Sequence, residues 1–288
     1  MKGARRLSFG AHYQMQKEQD VQAQSDVAAY LRCWGGSGSV GSDDSVPKII
    51  LICEHASNRV EQPWEHNFDE PSLLSSHAAS DLGALGLSYQ LGSILAQTGE
   101  KIELIHAPLS RLIYDLNRSP DRIDACPEKT EFYQISFNRK ISPEELLARV
   151  ELIYLPFHNF VRKRVARALA LGGKPFIITI HSFSPTWFGT PRDVEFGVIH
   201  DALPALAYRI IANSSSLGLL TELNAPYSAE DHVTHTLKLH ALPYGLENAM
   251  IELRNDLLAT PEAQLDVAQR LAPILLNSIQ DILSKQVC

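Results

Sequence analysis

The sequence predicts one three-layer α/β domain, a mixed sheet flanked by helices. Three observations carry that prediction. Residues 49–53 and 176–180 are short apolar runs without the polar alternation of a half-exposed strand, so each reads as a strand buried on both faces, and residues 102–107 read as a third strand between them. Helical stretches separate them at the spacing of crossover connections. The chain, 288 residues and 45% apolar, has enough core for one large domain.

The amino-terminal 46 residues stand apart. Residues 14–32 could form a helix, but Gly35-Gly36-Ser37-Gly38-Ser39-Val40-Gly41-Ser42 has the composition of a flexible linker. Residues 1–46 therefore read as a loosely attached extension and 47–288 as the domain. Arg5 and Arg6 are not followed by the apolar region of a signal peptide, and no apolar run of 18 residues occurs. Cys33, Cys53, Cys126 and Cys288 form no CxxC pair, and Cys53 falls inside a buried strand. A cytoplasmic protein with reduced thiols is the expectation. The net charge of −7, from 26 basic and 33 acidic residues, provides no basic field for nucleic acid, which favours a small-molecule partner.

The first strand stops on Glu54 and His55, at the end where open α/β sheets carry ligands and reacting groups. Residues 60–76 lack periodicity and read as a surface loop. From Asp81, the apolar positions Leu82, Leu85, Leu91, Ile94 and Leu95 suit a helix ended by Gly99, placing Asp81 near its amino terminus as a possible cap. Residues 110–118 continue the second strand as an extended segment carrying Arg111, Asp115, Asn117 and Arg118. An arginine can hold a carboxylate through paired hydrogen bonds, so these donors read as facing substrate, with one arginine taken up by Asp115.

Ser142, Pro143 and Glu145 are helix start signals, and the helix runs to Gly172-Gly173 past a basic stretch, 162–164, that reads as a solvated face. The strand at 176–180 also ends on a histidine, His181. If the two strands are neighbours, His55 and His181 converge on one sheet edge at a separation suited to a shared metal. Residues 196–199 suggest a further short strand and 204–217 a helix. Ile251-Glu252-Leu253-Arg254 alternates like a strand with one face toward a cleft, which makes Glu252 the general-base candidate. The last helix, about 261–283, reads as scaffold.

Glu54-His55-Ala56-Ser57-Asn58, Ser80-Asp81-Leu82-Gly83-Ala84, residues 110–118, residues 180–185, Asn224-Ala225-Pro226-Tyr227 and residues 251–256 together resemble the N-formylglutamate amidohydrolase family, in order, over roughly 47–258. The Asp115-Leu116-Asn117-Arg118 segment is also similar to that of aspartoacylases, which belong with zinc carboxypeptidases. The resemblance implies a phosphorylase/hydrolase-like α/β/α fold, metal-dependent hydrolysis of an N-acyl amino acid, and no organic cofactor. Zinc carboxypeptidases take two ligands from His-x-x-Glu, whereas Asn58 stands three residues after His55 here. Asp81 would supply the missing carboxylate, giving His55, Asp81 and His181 around a divalent metal, expected to be Zn²⁺, with Glu54 and His77 as substitutes for the third place. Glu252 would move the water's proton, Arg111 would stabilise the oxyanion, and Asn117 and Arg118 would hold the substrate carboxylate, with Arg192 and Arg254 as further substrate contacts. Two competing readings are a hydrolase of a longer acyl group and a non-catalytic binding protein that keeps the cleft. A binder has no need of Glu252.

Overall fold

The computed structural model describes residues 29–34, 46–65 and 71–285. In chain order its elements are β1 (Tyr30–Trp34), β2 (Ile49–Cys53), α1 (Ala84–Ala96), β3 (Ile102–His106), a small hairpin of β4 (Lys129–Thr130) and β5 (Tyr133–Gln134), α2 (Pro143–Arg149), α3 (Leu155–Ala170) and β6 (Phe176–Phe183). A second small hairpin, β7 (Thr186–Trp187) and β8 (Thr190–Pro191), precedes β9 (Phe196–Ile199), α4 (Ala205–Asn213), β10 (Thr221–Leu223), α5 (His235–His240), β11 (Asn248–Arg254) and α6 (Pro261–Lys285). Seven strands form one mixed sheet in the order β1-β3-β2-β6-β11-β9-β10. Strands β3, β2, β6 and β11 run parallel to one another, β9 is antiparallel to β11, and β1 is antiparallel to β3.

The unbroken apolar runs are explained by helices on both faces. Along β2, alternate side chains point to opposite sides. Ile49, Leu51 and Cys53 pack with Leu87 and Leu91 of α1, Ile210 of α4 and Leu271 of α6. Ile50 and Ile52 pack with Phe157, Val161 and Val165 of α3 and Leu237 of α5. The expected three layers are therefore present.

Four local expectations change. The last residues of the expected 14–32 helix belong to β1, where they pair with β3 as an edge strand of the sheet, so this part of the stretch read as an extension joins the fold; the rest of that helix lies outside the described residues. Residues 110–118 are a chain of turns rather than an extension of β3. Leu82 precedes α1 and is exposed. Arg164 does not face solvent freely, because it forms a two-point ion pair with buried Glu103 at 3.0 and 2.5 Å. The start signals at 142–145 hold: Ser142 Oγ accepts from the Glu145 amide at 3.2 Å. Between α2 and α3 the helix widens into a π turn, Val150–Tyr154, just ahead of Pro156, which has no N–H for the regular ladder.

Candidate active site

The ends of β2, β6 and β11 lie side by side, and each delivers a titratable side chain. His55 follows β2, His181 sits near the end of β6, and Glu252 lies opposite His181 in register on β11. The connection from β2 to β3 packs α1 on one face, while that from β3 to β6 packs α3 on the other, which leaves a crevice beyond the carboxyl ends. Asp81 reaches this crevice from the turn before α1. It does not cap the helix: Gly83 holds that position at φ 80°, where an added Cβ would fall 2.4 Å from Leu258 Cβ. The Asp81 amide instead donates to the His55 carbonyl at 2.9 Å, which turns its carboxylate inward.

His55, Asp81 and His181 form one buried cluster whose donor atoms all lie within 4.8 Å of one another. Asp81 Oδ2 is 2.9 Å from His181 Nδ1 and 3.3 Å from His55 Nδ1. The outer nitrogens are held by two more carboxylates: His55 Nε2 lies 2.8 Å from Asp115 Oδ1, and His181 Nε2 lies 3.2 Å from Glu54 Oε2. Arg111 Nη1, which can only donate, is 3.1 Å from His55 Nδ1, so that nitrogen presents its lone pair and Nε2 carries the proton toward Asp115. Two imidazoles and a carboxylate facing one point, with a carboxylate behind each imidazole, is a donor set that fits a divalent cation.

The electrostatics agree. Burial opposes charge on Asp81, but Arg111 and then His55 outweigh it and hold the carboxyl well below its ordinary range. Asp115 is lowered against burial by His55 and Arg118. Burial likewise opposes charge on the histidines; Asp115 and Asp81 raise His55, and Glu54 with Asp81 raises His181. Cation binding at Asp81 would displace the proton that His181 Nδ1 shares with it. Among the alternatives for the third ligand, Asn58 donates its amide to the Leu74 carbonyl at 2.8 Å, His77 pairs with Glu131 at 2.7 Å, and Glu54 lies behind His181.

Glu252 is buried, and its Oε2 has no hydrogen-bond partner among the described residues. Burial, reinforced by Asp81, pushes its pKa up to about 7, where a carboxylate can both accept and return a proton near neutrality. Arg111 lies 3.0 Å from Asp81 Oδ1 and donates to the carbonyls of Ala78 and His77.

The structure places the other expected contacts unevenly. Arg118 lines the cavity, with Nε on Asp124 at 3.0 Å and Nη1 on backbone carbonyls, while Nη2 has no acceptor among the described residues. The Asn117 side chain is buried and engaged by the Val233 carbonyl and the Thr236 amide, so it braces the cavity wall. Arg254 clamps Glu195, Asp256 and the carbonyls of Arg192 and Asp193 away from the cavity. Arg192 stacks among Phe183, Trp187 and Tyr227. Asp115 is the residue that sequence reasoning misassigned: its partner is His55, and Arg118 is paired by Asp124 instead. Its place two residues before Asn117 in the motif was the available signal.

The turns at 110–118 keep this geometry because buried side chains satisfy their carbonyls. Arg149 donates to the Ile113 carbonyl at 2.8 Å, Asn138 to that of Leu112 at 2.9 Å, and His158 Nε2 bonds that of Leu116 at 2.9 Å. The cavity that results measures about 460 Å³, ample for an acylated amino acid.

A sequence model of the family described as N-formylglutamate amidohydrolase matches residues 48–259. A gene product of Agrobacterium tumefaciens of known structure is 36% identical, with a TM-score of 0.81 over 91% of this chain and 98% of that one. The structure of an N-formylglutamate amidohydrolase from Ralstonia eutropha superposes with a TM-score of 0.63 at 15% identity, over 90% of this chain and all of that one, and shows the shared fold. No curated protein matches the chain in sequence.

Proposed function

The chain belongs to the N-formylglutamate amidohydrolase family, and from that premise we propose that it hydrolyses the acyl amide bond of an N-acyl amino acid, with N-formylglutamate as the first candidate. The observation that carries this reading is the convergence of His55, Asp81 and His181 beside Glu252, whose buried Oε2 has no hydrogen-bond partner among the described residues.

A divalent cation would be held by His55, Asp81 and His181. Two imidazoles, one carboxylate and no thiolate favour Zn²⁺ with an open position. When bound, the cation supplies Lewis acidity, polarising the acyl carbonyl and acidifying water. Glu252 takes the proton from the attacking water and returns it to the leaving amine nitrogen, so the amino acid departs neutral at that nitrogen and the acyl group departs as its acid. Arg118 Nη2 receives the substrate carboxylate, which sets the distance from that anchor to the bond being cut. Arg111 holds Asp81 in place and adds positive charge beside the developing oxyanion. Arg192 adds a cation behind the cavity-lining rings of Phe183, Trp187 and Tyr227. The cytoplasm is the proposed location, which suits the buried free thiols of Cys53 and Cys126.

A substrate panel tests the proposal. Metal-replete protein should release formate from N-formylglutamate, lose that activity on chelation and regain it on adding back Zn²⁺. A cavity of about 460 Å³ also admits a longer acyl group, so N-acetyl and longer derivatives belong in the panel. Absence of turnover on every N-acyl amino acid with metal bound would overturn the proposal.

A further inference from the structure

The phenol of Tyr227 lines the same cavity, and its hydrogen bonding leaves a proton unused. Arg192 Nη1 is 3.0 Å from Tyr227 Oη. A guanidinium can only donate, so the phenol oxygen accepts and its own O–H remains available; among the described residues nothing accepts it. The guanidinium itself is held over the Tyr227 ring at 4.9 Å, over Trp187 at 5.0 Å and over Phe183 at 5.6 Å, so the cation that polarises the phenol is fixed in place.

The backbone brings this donor to the general base. Gly197 of β9 is the register partner of Glu252, and a Cβ added there would lie 2.0 Å from the Ala225 carbonyl oxygen and 3.3 Å from Glu252 Cβ. Only a residue without a side chain lets the loop of Asn224-Ala225-Pro226-Tyr227 lie this close. Asn224, at φ 53°, fixes the loop by donating its amide to the Val198 carbonyl at 2.9 Å and accepting from the His200 amide at 3.1 Å. Burial, then the neighbouring Glu252, raises the Tyr227 pKa, so the phenol keeps its proton at neutral pH. Arg111, by contrast, already donates to the carbonyls of Ala78 and His77 and lies against Asp81.

We propose that Tyr227 is a further catalytic residue whose O–H donates to the acyl oxygen as the acyl carbon becomes tetrahedral, with Arg192 as its positioning residue. This rests on the amide-hydrolysis reading above. It gives the oxyanion a neutral donor near Glu252 whose oxygen is held by Arg192 before substrate arrives.

Tyr227→Phe keeps the ring under Arg192 and removes only the O–H. Loss of one such donor typically lowers kcat about 10²–10³-fold, and the variant should show a fall of at least ~10-fold with KM changed by less than ~3-fold and metal content unchanged. A phosphonamidate analogue of the tetrahedral species, measured by calorimetry, should bind the variant at least ~10-fold more weakly, while the product amino acid binds both proteins equally. A variant with near-wild-type kcat and analogue affinity, or a loss confined to KM, overturns the assignment and leaves the amide-hydrolysis reading standing. Wild-type protein that neither turns over an N-acyl amino acid nor binds the analogue overturns both.

Discussion

Asp115 holds His55 from behind, with its Oδ1 2.8 Å from Nε2, so the opposite nitrogen of the ring faces Asp81 and His181. That bond fixes both the tautomer and the direction of the imidazole, and a carboxylate in this position also makes the ring more basic. Asp115→Ala should therefore lower cation affinity about 10–100-fold while the fold persists. Competition with a chromogenic chelator measures it. Wild-type affinity in the variant would show that Asp115 does not orient His55.

Gly197 tests how closely the cavity wall must approach Glu252. In Gly197→Ala the new methyl meets the Ala225 carbonyl, a backbone atom that cannot rotate away, so the loop carrying Tyr227 must shift. Overpacking of this kind destabilises by about 1–3 kcal/mol, and a displacement near 1 Å at a reacting centre can lower kcat by about 10²-fold. A thermal melt and a kcat measurement on the same sample would check both. Unchanged kcat would mean that the loop has room the structure does not show.

How much of this was legible in the sequence differs by layer. The strands at 49–53 and 176–180 were readable because both faces of each are covered, which leaves an unbroken apolar run. His55, His181 and Glu252 were readable because they interrupt or end such runs. The turns at 110–118 were not: Leu112, Ile113, Tyr114 and Leu116 are buried like strand residues, but what satisfies their carbonyls comes from Asn138, Arg149 and His158, far away in the chain. The Asp115 partner was hidden for the same reason, since the nearest arginines in sequence were the obvious candidates and a histidine 60 residues earlier was not. Strand β1 lacked a signal because an edge strand of five residues with exposed Tyr30 and Leu31 carries no buried pattern.

Behind the site, His158 Nδ1 bonds His240 Nε2 at 2.9 Å, and Tyr154 Oη bonds His235 Nε2 at 2.9 Å. Burial first, then the mutual repulsion of these rings, depresses His158 to about 3, and burial depresses His240 and His235 to about 4, from the ordinary 6.5. Below pH 6.5 the unfolded chain binds protons that the folded chain refuses, so this contribution to stability is complete above about 6.5 and is lost as pH falls toward 3 to 4. Urea midpoints between pH 7.5 and 4.5 should fall steadily, and His158→Gln should flatten that slope. Equal slopes for the two proteins would contradict a neutral buried pair.

The central claim is that Glu252 moves the proton in a cation-dependent amide hydrolysis, and the most direct measurement of it is the kcat for formate release from N-formylglutamate by Zn²⁺-replete Glu252→Gln beside the wild type. The glutamine is isosteric and leaves His55, Asp81 and His181 in place. General acid–base catalysis contributes about 10²–10⁴-fold, so the variant should bind the metal as the wild type does and lose kcat by that factor. A folded, metal-replete Glu252→Gln variant that keeps near-full kcat would contradict the account.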